Sequence, residues 1–506
     1  MRNARTLAMS LSLTSALQLG GCAVGPDYKP PESPRAVKAP FQEGSLAGVS
    51  SASPVSSTWW QLYSDPTLSR LVEDAFRYNT DIRVAVANLK AVRAELSEAR
   101  AGRLPTTELS ASYSRNRVGA DQVGPAAGFA AGSAGGAGTS GRDHQDFDLY
   151  QSGFDASYEL DVFGRVSRSI EAARGDSEAA QAVLDGVRIS IAAQVAQSYA
   201  DACGAAMQAD VARETARLVG DTRDLTQRLM EAGRGTQRDV DQANVVLEQA
   251  NAQVPGFEGE RRAQLYALAT LTGRPPAEID AAAAACRSVP KVKVEIPVGD
   301  GGALLARRPD VRAAERKLAA DTARIGVATA SLFPTVTLLG SVSLGAPKAG
   351  DIGKGASFGY SFGPLISWTF PNFAVASAKI REARAGSDAS LAGFQGTTLT
   401  ALRETEQALA RYSAALGQNA ALARAADSAQ RAADQTKQRF DSGRDNFLAL
   451  LVAEQNRAAA RQALAQSDTK VADLQVSLFK ALGGGWENAP PSMDVPPPTV
   501  QIGSAQ

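Results

Sequence analysis

Residues 358–370 read Phe358-Gly359-Tyr360-Ser361-Phe362-Gly363-Pro364-Leu365-Ile366-Ser367-Trp368-Thr369-Phe370. Every second residue is bulky, and those between are small or polar, with Leu365 the exception. A period of two puts alternate side chains on opposite faces of a strand, so one face is apolar and the other is not. The aromatic end is what a strand presents at a membrane–water interface. The same pattern recurs in Phe154, Ala156, Tyr158 and Leu160 set against Gly153, Asp155, Ser157 and Glu159. Each has an alternating stretch before it: Val336, Leu338, Gly340, Val342 and Leu344 in one case, Leu109, Ala111 and Tyr113 in the other. The sequence therefore predicts two β-hairpins, at about 106–160 and 335–370. A transmembrane strand needs roughly 9–11 tilted residues, which all four segments supply. A soluble sandwich would need further strands to pack against these, and the rest of the chain is not β-like.

Four strands do not close a barrel; the smallest closed ones have about eight. An open edge in lipid leaves backbone groups unsatisfied at a cost of several kcal/mol each. Membrane strands of this number require other copies of the chain. Counting alone allows two, three or four.

Working outward, the hairpins prove to be parts of one larger unit present twice. Thr80-Asp81-Ile82-Arg83 aligns with Pro309-Asp310-Val311-Arg312, and Leu104-Pro105 with Phe333-Pro334, at an offset of 229. Further on, Phe163 aligns with Phe373, Gly186 with Gly396, Gly233-Arg234 with Gly443-Arg444 and Gly273 with Gly483, at an offset of 210 held over more than a hundred residues. The offsets differ by 19, so the first copy carries 19 extra residues between Pro105 and Phe163, where Gly119–Gly141 is mostly Gly, Ala and Ser. The extra length is a loop. We place the first repeat at 59–290 and the second at 291–487.

Everything else reads as helix rich in Ala, Gln, Arg, Glu and Leu. Val166 to Met230 contains no proline, and Ala374 to Phe440 matches it. At 1.5 Å per residue such helices would reach about 100 Å if continuous; Gly186 and Gly396 are the expected breaks. Ala-heavy helices of modest apolar content suit close packing round a polar bore. A coiled-coil stalk would explain the helices but give the hairpins no role. Each long helix stops at a glycine turn, Glu231-Ala232-Gly233-Arg234 and Asp441-Ser442-Gly443-Arg444, glycine just past a helix end being the usual stop signal. A second helix follows each turn, making helix hairpins directed away from the barrel.

The N-terminus sets the compartment. Arg2 and Arg5 precede a mostly apolar Leu7–Leu19, and Leu19-Gly20-Gly21-Cys22 has the lipobox pattern. Residues 1–21 read as a lipoprotein signal peptide and Cys22 as the lipidation site, against the alternative of an ordinary secretory signal. Ala23, where an Asp would retain a lipoprotein in the inner membrane of many bacteria, favours the outer membrane. Pro-rich and Ser-rich residues 22–58 read as an extended tether holding the lipid away from the folded body, and 488–506 as an unstructured tail. Cys203 and Cys286 remain; in an oxidising periplasm they make a candidate disulfide, which sequence alone leaves open. The charge balances at 53 basic and 53 acidic residues with no basic block, giving no sign of nucleic-acid binding. His144 is the single histidine, so paired-histidine zinc sites are excluded, and no Gly-Lys-Ser or Gly-Lys-Thr follows a Gly-rich stretch. No enzyme, metal or cofactor is indicated.

Several segments resemble the outer membrane factor family, TolC-like channels, and within it the NodT-type lipoprotein branch. They are Cys22-Ala-Val-Gly-Pro-Asp-Tyr-Lys-Pro-Pro31, Trp59-Trp60 with Asp65-Pro66 and Leu68, Leu304-Leu-Ala-Arg-Arg-Pro-Asp-Val311 with Ala314-Glu315, and 328–334. The resemblance covers essentially the whole mature chain. It implies a mainly α fold with a membrane β-barrel: a homotrimer in which each chain gives four strands and long α-barrel helices. The implied function is a passive outer-membrane conduit in a tripartite efflux system, with a periplasmic adaptor and an inner-membrane pump of the resistance-nodulation-division type. A channel for protein secretion is the alternative. The resemblance makes Gly233, Arg234, Gly443 and Arg444 the adaptor-facing tips. The family's acidic ring falls nine residues after the second glycine, where this chain has Val452; Asp239, Asp445 and Glu454 are the remaining sources of charge for a gate.

Overall fold

The computed structural model describes residues 23–31, 39–44, 48–50, 57–119, 144–292 and 294–487, in two compact units that we treat separately. The signal peptide, Cys22, most of Gly119–Gly141 and the 488–506 tail lie outside the described residues. Among those described, no helix is long and apolar enough to cross a membrane.

The first unit takes 23–29 and the described parts of Arg93–Gly175 and Ala319–Ala389. At its centre is a four-stranded antiparallel sheet of β1 (Thr106–Gly119), β2 (His144–Leu160), β3 (Thr335–Ala346) and β4 (Phe358–Ser367), in that order. The register carries the sequence pattern across all four strands. Leu109 faces Phe154, Phe154 faces Val342, and Val342 faces Tyr360, all in one row. The next row over, on the opposite face, is Glu108, Asp155, Ser341 and Ser361. A one-residue slip at any pairing would mix the faces. The expected hairpin limits hold except that β4 stops at Ser367, leaving Trp368 and Phe370 as a packed aromatic pair beyond it, 4.9 Å between centroids.

The second unit takes 30–92, 176–318 and 390–487 and holds the main apolar core. Besides one turn at Ala281–Ala284, its α-helices are α1 (Pro66–Tyr78), the start of α2 (Thr80–Ala101), most of α3 (Arg165–Glu231), α4 (Gln237–Leu271), α5 (Gly301–Arg307), the start of α6 (Pro309–Ala330), most of α7 (Phe373–Asp441) and α8 (Phe447–Leu482). Asp65 caps α1 by accepting from Thr67 N and Leu68 N at 2.8 and 3.1 Å, with Pro66 in the first turn. Trp59, fully buried, stacks on Phe479 of α8 at 4.9 Å. Val49–Ser50 and Ile296–Pro297 pair as a short parallel ladder.

The duplication is visible atom by atom. Asn79 donates from Nδ2 to the Leu271 carbonyl at the end of α4, and Arg308 donates from Nη1 to the Ala481 carbonyl at the end of α8, at 2.9 and 3.0 Å. These are equivalent positions in the two copies. Gly273 and Gly483 follow in the left-handed region, φ +73° and +71°, each so close to the capping segment that a Cβ would collide with Tyr78 or Arg308. Arg307 adds a bond to the Leu482 carbonyl at 2.8 Å. Arg-Arg-Pro-Asp is thus a helix-end fastener, with cations on the negative end of α8.

Two expectations are corrected. Gly186 and Gly396 break nothing: α3 is one helix of 67 residues and α7 one of 69. A glycine costs only about 1 kcal/mol in a helix interior, which a packed helix of this length absorbs. Nor do residues after Cys22 all hold away from the body as a tether: Val24 N donates to Phe163 O at 3.2 Å, and Asp27 pairs with Arg168. The glycines there let backbone meet backbone, which a Pro-rich composition does not reveal.

The sulfurs of Cys203 and Cys286 are 2.05 Å apart, joining α3 to the segment after α4. At the next residue α3 crosses α8 so closely that a Cβ on Gly204 would lie 2.3 Å from Thr469 Oγ1. This crossing sets Asp201 against Asp473. Burial, then the Asp201 carboxyl, push Asp473 up to about 7, with Lys470 opposing; burial also raises Asp201, which Glu260 reinforces. The folded chain then keeps a proton that the unfolded chain has released, so stability falls as pH rises from the ordinary carboxylate range through about 7. Asp473→Asn should reduce that slope, leaving the part due to Asp201, and raise stability at pH 8 by about 1–2 kcal/mol with little change at pH 4. Thermal unfolding across this range checks it; an unchanged slope in the variant assigns the proton elsewhere.

Candidate functional site

Two surfaces have the composition to serve a channel, one in each unit. The first is the strand face. Along it run Leu109, Tyr113, Phe154, Val342, Tyr360, Phe362 and Ile366, all exposed, Tyr360 and Phe362 at 77% each. Exposed aromatic side chains in continuous rows are not a surface for water. The rows from Tyr150–Ala346 to Leu160–Val336 span eleven residues of β2, the length of a tilted membrane strand. Beyond the Tyr113–Tyr150 aromatic pair, 4.8 Å apart, the same face turns charged, with Arg117 paired to Asp146 at 2.7 Å. An apolar band ending in aromatics and then ions is the profile of a strand crossing a bilayer. The opposite face carries mainly Ser, Thr, Gly, Asp and Glu, interrupted by Leu339 and Leu365 within the band and by Phe147 and Leu149 beyond it. Among the described residues, β1 and β4 are each paired on one side only.

The second surface is the pair of helix turns in the other unit. Both are built alike. Gly233 and Gly443 have φ +71°. Gly233 N donates to Met230 O and Arg234 N to Leu229 O; Gly443 N donates to Phe440 O and Arg444 N to Arg439 O, all at 2.8–2.9 Å. This double bond pattern satisfies the last carbonyls of α3 and α7. A Cβ on either glycine would meet nothing within 4 Å, so the backbone angle alone requires glycine. The following helices are capped differently: Thr236 and Asp239 form a reciprocal capping box on α4, while Asn446 accepts from Ala449 N at 2.8 Å on α8.

The four charge or gate candidates are not brought together. Hydrogen bonds from the Thr236 hydroxyl and backbone hold the Asp239 carboxyl below its usual range. Asp445 is likewise lowered by the Arg439 guanidinium, which grips it at 2.8 and 2.9 Å. Val452 is exposed and, with Leu448, Ala429 and Ala453, lines an apolar groove of about 760 Å³. Glu454 is buried and ion-paired with Arg457, also buried; burial raises its carboxyl. Glu454 therefore offers no free charge and is a packing ion. Arg457 and Arg439 were not singled out by sequence. Arg457 stands one turn after Glu454, the spacing of a helix ion pair, and that signal was available. The two hairpins meet through Val219, Val246 and Leu451, with Leu247 and Phe447 alongside.

Comparison with known proteins identifies the family to which the chain is similar. The sequence model described as "Outer membrane efflux protein" matches residues 71–274 and 302–484, one match within each repeat. Outer membrane protein OprJ of Pseudomonas aeruginosa is 31% identical over 480 residues, covering 94% of this chain and 95% of that protein. Nodulation protein T of Rhizobium leguminosarum bv. trifolii is 27% identical over 475 residues, covering 93% and 96%. Among solved structures, the outer-membrane channel OprN superposes with a TM-score of 0.83 at 34% identity, covering 92% of this chain and all of that one.

Removing one member of a buried ion pair strands its partner, at a cost of about 3–5 kcal/mol. Glu454→Ala should destabilise the helix hairpins on that scale, whereas Asp445→Ala should change stability by less than about 1 kcal/mol. Denaturation followed by helical circular dichroism distinguishes them; equal effects would place Glu454 on the surface.

Proposed function

Because this chain belongs to the outer membrane efflux protein family, we propose that three copies form a passive conduit through the outer membrane for small toxic compounds. One observation carries the reading: a four-stranded sheet, apolar on one face and polar on the other, with both edges unpaired. Lipid leaves no water to satisfy those edges, so each must bond to the edge of another copy. Three copies supply twelve strands, above the minimum for closure, and the family resemblance selects three from the numbers that counting allows. The apolar rows then face lipid, and the Ser-, Thr- and Gly-rich face lines a wet bore.

On this reading the chain performs no reaction. Its relatives are named as outer membrane components of pumps, and energy would come from an inner-membrane pump of the resistance-nodulation-division type through a periplasmic adaptor. The adaptor would meet the turns at Gly233–Arg234 and Gly443–Arg444. Val452 replaces the family's acidic residue, leaving the half-buried Asp239 and Asp445, one after each helix turn, as the carboxylates that would serve a constriction. Cys22 would carry the lipid, and the Cys203–Cys286 bond would form on arrival in the periplasm.

Purified in detergent, the protein should have the mass of a trimer and give conductance in planar bilayers. Loss of the gene should lower tolerance to toxic compounds at least fourfold and leave protein export intact. Replacing Arg234 and Arg444 together by Glu should abolish complementation while the trimer persists. A monomer soluble without detergent would overturn the reading, and a defect in protein export alone would reassign the channel to secretion.

A further inference from the structure

The residues just after Cys22 occupy a built receptor in the first unit. Val24 N donates to Phe163 O at 3.2 Å. Phe163 follows β2 and stacks on Phe333, just before β3, with centroids 4.6 Å apart. Three glycines make room. A Cβ on Gly164 would lie 2.6 Å from Ala23 Cα, one on Gly25 2.5 Å from Gly326 Cα, and one on Gly326 2.9 Å from Val24 O and 2.8 Å from Arg168 Cγ. Gly25 and Gly164 have φ +95° and +76°, angles that disfavour any other residue.

Arg168 closes the notch. It is 5% exposed, and its guanidinium donates to the Val24 and Gly25 carbonyls at 3.3 and 3.5 Å, to Asp27 at 2.6 Å and to Glu171 at 2.8 Å. A buried guanidinium reading two successive backbone carbonyls is a peptide-binding arrangement. The planar fork suits that task better than an ammonium. A charge so buried is tolerated only because its donors are satisfied, so strap and notch hold each other.

We propose that this notch is the receptor for the lipid-bearing N-terminus, and that Arg168 is the positioning residue fixing the acyl chains beside the foot of β2 and β3. The proposal rests on lipidation of Cys22. Ala23, which follows Cys22 in the chain, lies against Gly164 at the turn after β2. A diacylglycerol on the preceding residue would then start beside this turn, a few residues past Leu160 and Val336, the last apolar row between β2 and β3. The anchor thereby becomes part of the wall's apolar surface.

The full-length protein, made in cells fed a photoactivatable fatty acid, tests this. In the wild type, irradiation should concentrate label on Leu160, Tyr158, Val336 and Leu338. In Arg168→Ala with Gly326→Val, label should fall on these residues at least threefold, with incorporation and trimer content unchanged. Arg168→Lys, which keeps the charge facing Asp27 but loses the fork, should give an intermediate pattern, and Asp27→Ala serves if the double variant does not assemble. Diffuse label in the wild type, or a focused pattern in a lipidated variant, would overturn the receptor while leaving the anchor standing. Absence of fatty acid from wild-type protein would overturn the anchor, and the receptor's role with it.

Discussion

A backbone amide in hydrocarbon has nothing to bond to except another backbone, and the architecture of this chain answers that constraint. The sheet satisfies its inner ladders through β1–β2, β2–β3 and β3–β4 and leaves two edges open. The chain is therefore incomplete as a membrane object. Its strands are as long as a bilayer demands, and an apolar row runs across the join between repeats, from Phe154 in one copy to Val342 in the other. A duplicated hairpin is an economical way to build such a wall, since each new pairing repeats the register of the last.

Away from lipid, water relaxes the constraint and helices take over, but they need exact spacing to stay together. Small residues provide it. Gly204 lets α3 touch Thr469, and the core of the helical unit is crowded with alanine. Specificity comes from the ends: the buried caps at Leu271 and Ala481, and the paired turns at Gly233 and Gly443. Side chains of little bulk set how near the helices come, and polar contacts at their termini set how far they run.

Sequence made the periodic parts legible. Alternation in Phe358–Phe370 and the constant offset of 210 follow from geometry repeated over many residues, so strand faces, repeats and helix turns could all be read. Contacts made once, between distant segments, could not. Nothing near Glu454 announces that its helix face is turned inward, and nothing near Gly25 names Gly326 as its neighbour. Helix breaks were over-read at Gly186 and Gly396 because local propensity is a weak prior beside the packing of a long helix.

The two helix-end fasteners are equivalent in position but not in chemistry. Asn79 is neutral, while Arg308 also grips Asp310 and Glu404 at 2.6 and 2.9 Å. Any ring made from this chain alternates uncharged rivets with ionic ones. Salt would screen the ionic rivets and leave the uncharged ones untouched, so the two halves of the duplication would answer differently to the surrounding medium.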